Sequence, residues 1–380
     1  SFLTILSIFI GITTIFIFVS FGYGLYAYVQ DFTTSSASDK VLVMAKGIGV
    51  PGLDDTFKLT DEDLDAVKRA GGVYEATGVY AGSVKIQRSN EQKYIYIASY
   101  DPKKPLLFDL FGGKIVSGRE LKTGDNGGIF GHNYLLDEKI FKKKLEINDV
   151  VKINGKDVNV VGFMKEIGNP SDDSQIYVTN DRFLELVTEK DSYAEIIARV
   201  DIKSITSTVE NIEKNLRKER GLDKGKEDFF VKSFEDLVKS YSSVLNIVIG
   251  FVILIALISV LVSAVNTANT MITSVLERYK EIGVLKAIGA RNSEIFKIFL
   301  FESSFLGFIA GSIGVLLGFI LSYAGGQILA GLGWSFLKPY YSFWLFFGCI
   351  LFAIVTGAIS GVIPAIKASK INTVDALRYE

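Results

Sequence analysis

The chain has 380 residues, 49% of them hydrophobic, with 41 basic side chains against 42 acidic. A balance this close to neutral gives no argument for nucleic acid as a partner or for a generally basic surface. One cysteine (Cys349) and one histidine (His132) rule out an intramolecular disulfide and the usual multi-histidine metal centre, so both read as structural and no metal site is expected.

Charge divides the sequence. Ser1–Gln30, Ser240–Leu276, Ser303–Leu337 and Pro339–Ile366 contain no Asp, Glu, Lys or Arg. A bilayer core needs about 20 apolar residues of helix, so each run can cross one. Cores such as VLNIVIGFVILIALISVLVSAV (Val244–Val265) are hydrophobic all round rather than on one face. The expected fold is therefore an α-helical integral membrane protein with four transmembrane helices, at 1–30, 240–276, 298–337 and 338–369. A large α+β extracytoplasmic domain, 31–239, is inserted between helices one and two. The first run has neither a basic n-region nor a small-residue cleavage motif, and the chain begins without Met. It is expected to be a retained anchor whose start precedes Ser1.

Within the polar block, KVLVMAKGIG (Lys40–Gly49) is strand-like, and Thr60 with Asp63 forms a capping box for a helix over Asp61–Ala70. VYEATGVY, SVKIQ and QKYIYIASY alternate as strands do. A helix is expected near Asn133–Lys143, and VVKINGKDVNVVGF reads as a hairpin turning at Asn154-Gly155. Strand AEIIARVD, helix SITSTVENIEKNLRKER and strand EDFFVKSF close the block. Residues 40–100 and 180–232 look like two halves of one βαβ layer, with 101–179 as a β-rich insertion; no internal repeat is visible.

The run Ser240–Leu276 would be about 55 Å long as a helix at 1.5 Å per residue, against a hydrocarbon core of about 30 Å. It is expected to protrude and to couple the outer domain to the loop that follows; a tilted helix with a loose end is the plainer alternative. That loop and linker, 277–297, bears Arg278, Lys280, Lys286, Arg291 and Lys297. The tail, 370–380 with its approach, bears Lys367, Lys370 and Arg378, whereas the turn between the last two spans has only Lys338. Basic residues in short loops stay cytoplasmic, so both termini are expected inside a cell membrane and the large domain outside.

Catalytic signatures are missing. GxxxxGK[ST], HExxH, GxSxG and CxxC do not occur, so the chain shows no sign of binding ATP and no catalytic residue is proposed. Asp172 and Asp173 in NPSDDSQ read as a solvated turn. Glu302, just inside the third span, is expected at headgroup level, with a structural bond to the adjacent loop as the second reading. Gly307, Gly311, Gly314 and Gly318 form one stripe along the third span, and Gly357 and Gly361 repeat the spacing in the fourth. Small residues so placed let helices approach closely in lipid, here helices three and four of one chain.

The loop ERYKEIGVLKAIGA (Glu277–Ala290) sets Ile282, Leu285 and Ile288 on one side with Glu277 and Glu281 beside them, and Gly289 ends it. It can be an amphipathic helix on the membrane surface. Its interleaved charges suit a groove on a protein partner better.

These residues resemble the loop of the MacB/FtsX/LolCE permeases, the mechanotransmission class of ABC transporters. The resemblance continues through FLFESSFLGFIAGSIGVLLG and PAIKASKINTVDALRYE, and through SFLTILSIFIGI, SGREL, NYLLDEKIF and VVKINGKDVNVVGF. Thr373 stands where the tail motif more often has proline. A fused ATPase domain like that of MacB is absent from the sequence, which implies a separately encoded ABC ATPase subunit holding ATP and Mg, and no cofactor in this chain. The resemblance further implies two permease chains, expected as a homodimer through their first two spans. Each loop helix would dock on an ATPase, with Ile282, Leu285 and Ile288 as apolar anchors and Glu277, Arg278, Glu281 and Lys286 as orienting charges. Gly283 and Gly289 would allow close approach and the turn. The implied function is ATP-driven movement of the outer domain, for export or extraction of a lipid, lipoprotein, peptide or drug-like substrate, with an extracytoplasmic partner also open. An FtsX-like regulator of an external hydrolase and a four-helix receptor without an ATPase are the alternatives.

Overall fold

The computed structural model describes residues 2–33, 37–46, 58–110, 113–187 and 192–378. It resolves into a helical unit (Ser1–Tyr26, Ser243–Leu329, Leu337–Glu380) and an α/β unit (Ala27–Ser242, Ala330–Phe336). In chain order, helix α1 (Phe2–Thr33) is followed by β1 (Lys40–Ala45), α2 (Asp61–Lys68), β2 (Val73–Val79), β3 (Ala81–Arg88) and β4 (Glu91–Tyr100). Then come α3 (Leu106–Leu110), β5 (Ile115–Gly118), β6 (Gly128–Phe130), β7 (Val150–Ile153), β8 (Lys156–Met164) and β9 (Ile176–Thr179). α4 (Asn180–Leu186), β10 (Glu195–Val200), α5 (Ile205–Arg220) and β11 (Phe229–Ser233) complete the α/β unit. The remaining helices are α6 (Phe234–Glu277), α7 (Tyr279–Ala287), α8 (Asn292–Gly331), α9 (Phe343–Ser369) and α10 (Thr373–Arg378).

The first layer is a four-stranded sheet in the order β11-β1-β10-β2, every neighbouring pair antiparallel. Strands β1 and β2 flank β10, and β10 and β11 flank β1, so α2 and α5 each cross over a split βαβ unit. This is a pseudo-repeat that the residue pattern conceals. The helices cover one face: Leu64 and Val67 of α2 meet Ile212 and Leu216 of α5 over Val41, Val43, Ile196 and Ala198. The Thr60 N–H donates to the Asp63 carboxylate at 2.8 Å, the backbone half of the expected capping box. Of the strand expected over Lys40–Gly49, β1 takes Lys40–Ala45, and residues 47–49 lie outside the described set.

Seven strands form the second sheet, in the order β5-β8-β6-β9-β4-β3-β7, and β7 also pairs with β8. That pairing closes a six-stranded barrel from which β5 hangs as an edge. Val84, Ile86, Ile97, Phe130, Val151, Val158 and Val178 are among its core residues. The β7–β8 hairpin turns where expected, with Asn154 at φ 47° and Gly155 at φ 83°, the positive pair a two-residue turn requires. Because β3 and β4 belong to this sheet, the insertion begins at Ala81 rather than near residue 101. The helix expected over Asn133–Lys143 is also absent. A single 3-10 turn, His132–Leu135, stands there, and Glu138 at φ 60° is incompatible with helix. The apolar residues Tyr134, Phe141 and Leu145 pack into the barrel core instead.

Asp173 corrects another expectation. It is 3% exposed rather than solvated, and accepts the N–H groups of Ile167 and Gly168 at 2.8 Å each. Burial pushes the carboxyls of both Asp172 and Asp173 up. The loop they shape receives 330–336, which the expected third span, 298–337, includes. Ser335 Oγ donates to Glu166 at 2.8 Å, and the Phe336 N–H donates to the Gly168 carbonyl at 3.2 Å. Gly168, at φ 92°, has no room for a side chain beside Ser335 Oγ.

In the helical unit, α1, α6, α8 and α9 are each long and apolar enough to cross a membrane. Ile8, Ile12 and Phe16 of α1 pack with Ala310, Val315, Cys349 and Ala353 of α8 and α9. The third expected span, 298–337, starts earlier, at Asn292, and its helix stops at Gly331. The fourth, 338–369, begins its helix at Phe343. The tail carries the further helix α10.

Glu195 lies on β10 with its neighbours Ala194 and Ile197 in the core between the two sheets, and burial pushes its carboxyl up to about 7 from an ordinary 4.5. A raised carboxyl binds a proton more tightly folded than unfolded, so stability falls as pH rises between about 4.5 and about 7 and stays lower above. Thermal unfolding of the detergent-purified chain should therefore show a midpoint that declines across that window. Glu195→Gln should flatten the decline and exceed wild type at pH 8.5 by on the order of 2 kcal/mol. Parallel pH profiles for the two proteins would remove Glu195 as the cause.

Candidate functional site: the helical loop and the glycine seam

The loop is built from helix ends. α6 stops at Glu277, Arg278 leaves helical geometry, and α7 begins at Tyr279. Gly289 stands at φ 106°, and its N–H and that of Ala290 donate to the carbonyls of Lys286 and Leu285. This 5→2 and 6→1 pair is a Schellman closure, which needs glycine at its left-handed residue. Glu294 then accepts the Arg291 N–H at 2.8 Å and opens α8.

α7 has two faces. Ile282 is 2% exposed, packed with Met271 and Val275 of α6, Ile295 and Phe299 of α8, and Ala365 and Ala368 of α9. The expectation that Ile282 is an exposed anchor is therefore corrected: it belongs to the chain's own core. Gly283 is corrected in the same sense, since a Cβ there would lie 2.6 Å from Ala376 Cβ, so its close approach is to α10 of the same chain. Lys286 is not a free orienting charge either. Its ammonium donates to the carbonyls of Ser369 and Ile371, both at 2.7 Å. Arg278 pairs with Glu302 at 3.3 Å, which is the structural bond to the adjacent loop of the second reading. The other face is open: Glu281, Val284 and Leu285 are exposed, as are Glu277 at the end of α6 and, by 78%, Ile288 at the cap that closes α7. Val284 lies outside the i, i+3, i+6 spacing of the three expected anchors.

The glycines lie in two seams. A Cβ on Gly307 would sit 2.4 Å from the Ala353 carbonyl oxygen, on Gly311 2.5 Å from Ala353 Cβ, on Gly357 2.5 Å from the Ser303 carbonyl oxygen, and on Gly361 2.0 Å from Ser303 Oγ. These four join α8 to α9, as expected. Gly314 and Gly318 instead receive α1, at the Phe9 carbonyl and the Phe16 side chain. The Thr13 hydroxyl, 3.0 Å from the Gly314 carbonyl, strengthens that second seam. The first span was expected to pack on a second chain, and part of its surface is used within this one.

Comparison with known proteins adds the family. Residues 253–373 match the FtsX-like permease C-terminal domain, and residues 1–215 match the MacB-like periplasmic core domain. The chain is 34% identical over its full length to the uncharacterized ABC transporter permease MJ1507 of Methanocaldococcus jannaschii, covering 94% of that protein. It is 27% identical to the uncharacterized ABC transporter permease YknZ of Bacillus subtilis, all of the chain matching 95% of that protein. It is 26% identical to the macrolide export ATP-binding/permease protein MacB of Bdellovibrio bacteriovorus, the whole chain matching 59% of it.

Gly357→Val should lower the unfolding midpoint by several degrees, because its new side chain meets backbone that cannot retreat (overpacking of about 1–3 kcal/mol or more). Gly348→Val is the control, since no described atom lies within 4 Å of a Cβ there. Differential scanning fluorimetry in detergent compares them; equal midpoints would contradict the seam.

Proposed function

We propose, for a chain that belongs to the MacB-like, FtsX-like family of ABC transporter permeases, that it couples a separate ATPase subunit to movement of its extracytoplasmic α/β domain. The observation that carries the proposal is the two-faced α7. One face is fixed into the chain's own helices, and the other displays Val284, Leu285 and Ile288 beside Glu277 and Glu281. An exposed apolar cluster edged by charge fits a groove on a protein, and the charges steer docking more than they hold it. ATP and Mg would reside in that partner.

The basic residues of the short loops support an arrangement with α7 and both termini in the cytoplasm and the α/β unit outside a cell membrane. α6 leaves Phe251, Ile255, Ile258 and Leu261 exposed, which supports a second copy of the chain, as well as lipid, as its neighbour. The relatives that carry an ATPase in the same chain export a macrolide or pyoverdine by their names. By that analogy the work done here is export or extraction of an amphiphilic lipid, lipoprotein, peptide or drug-like molecule. The size of the α/β unit favours this over an FtsX-like regulator.

Co-expression with an ABC ATPase encoded beside the permease, and purification through a tag on the permease, tests the docking face. Wild type should retain the ATPase, and Leu285→Asp should weaken retention by roughly 30-fold or more, the loss of a central apolar anchor of about 2 kcal/mol. Ile282→Asp should fail differently, by aggregation of the permease itself, because it places a carboxylate in the core. Undiminished retention in Leu285→Asp would remove α7 as the docking element.

A further inference from the structure

We infer that Lys286 is a positioning residue, which binds α7 to the end of α9 and to the tail so that α7 and α9 move as one body. The inference rests on the ATPase reading of α7 and deepens it. The last carbonyls of any helix have no partner within it, and a cation is favoured at that end by the aligned peptide dipoles. Ser369 is the last residue of α9, and Ile371 lies two residues beyond it. The Lys286 ammonium takes both their carbonyls at 2.7 Å and so acts as the cap of α9 from a different helix.

Two further contacts act in the same direction. Ala376, fully buried on α10, closes over Gly283, where even a methyl group would collide. Ile282 lies in one cluster with Ala365 and Ala368 of α9. Residues 282, 283 and 286 thus form the inward edge of α7, while 281, 284, 285 and 288 face away. A helix of nine residues is too short to hold its shape alone in water. Its open face is presented in one geometry because the inward edge is clamped. If the clamp is released, α7 can still find an ATPase, but displacement of α7 no longer displaces α9, and ATP turnover loses its dependence on the permease.

The test uses the full-length permease with its co-purified ATPase in lipid nanodiscs. A nitroxide is attached at Ala287→Cys, an exposed position at the end of α7 that lies outside the docking face, in a background where Cys349 is replaced by Ala. Lys286→Met should mobilise the label, keep the ATPase bound, and lower permease-stimulated turnover at saturating ATP by roughly five- to tenfold with KM for ATP unchanged. Lys286→Arg, which keeps the donors, should restore both. Gly283→Ala, which pushes α10 off by a separate contact, should reproduce the methionine phenotype. A label as immobile in Lys286→Met as in wild type overturns the clamp. A mobile label with unchanged turnover overturns the positioning role. If wild type itself retains no ATPase, the ATPase reading falls and this inference with it, while the label still reports whether the clamp exists.

Discussion

Between helices that face lipid on one side and each other on the other, burying an apolar side chain changes little, and association depends on how closely two backbones can come. The helical unit is organised by that constraint. Ser303 and Ala353 press their backbones and small side chains into Gly307, Gly311, Gly357 and Gly361, and α8 and α9 become one pair. Gly314 and Gly318 extend the same helix surface to α1. α8 is therefore the helix on which two others are assembled, and its N-terminal end also carries Glu302, Ile295 and Phe299, which hold the loop.

The loop is consequently a part of the bundle with one side left uncovered. Arg278 reaches α8, Ile282 enters the core, and Gly283 and Lys286 meet the tail. The same short helix combines fixed inward contacts with an outward apolar face, an arrangement suited to passing on a push. In the α/β unit a comparable economy appears at Asp173. There one buried carboxylate shapes the loop that holds 330–336, through Glu166 with Ser335 and Gly168 with Phe336.

Much of this was legible in the residues. Runs without charge gave the four long helices, the Asn154-Gly155 pair gave its hairpin, and Thr60 with Asp63 gave the start of α2. These are local signals, each complete within a few residues. What escaped depends on distant partners. Glu138 and Phe141 lie in a pattern that suits a helix, but the barrel draws Tyr134 and Phe141 inward and the chain turns instead. β3 and β4 alternate like any strands, and only their partners, β7 and β9, assign them to the barrel. In the loop, Ile282, Leu285 and Ile288 share a spacing, yet burial separates the first from the other two. Val284 is exposed without matching that spacing. No pattern within ERYKEIGVLKAIGA reveals that Lys286 ends on carbonyls more than eighty positions later.

The most direct measurement of the account is a photo-reactive amino acid placed at Ile288, and separately at Ile282, in cells expressing the permease together with the proposed ATPase partner. On this account irradiation yields a permease–ATPase adduct from position 288, which is open, and none from position 282, which is buried against α6, α8 and α9. Lipid adducts alone from position 288 would instead make α7 a membrane-surface helix and contradict the proposed coupling role.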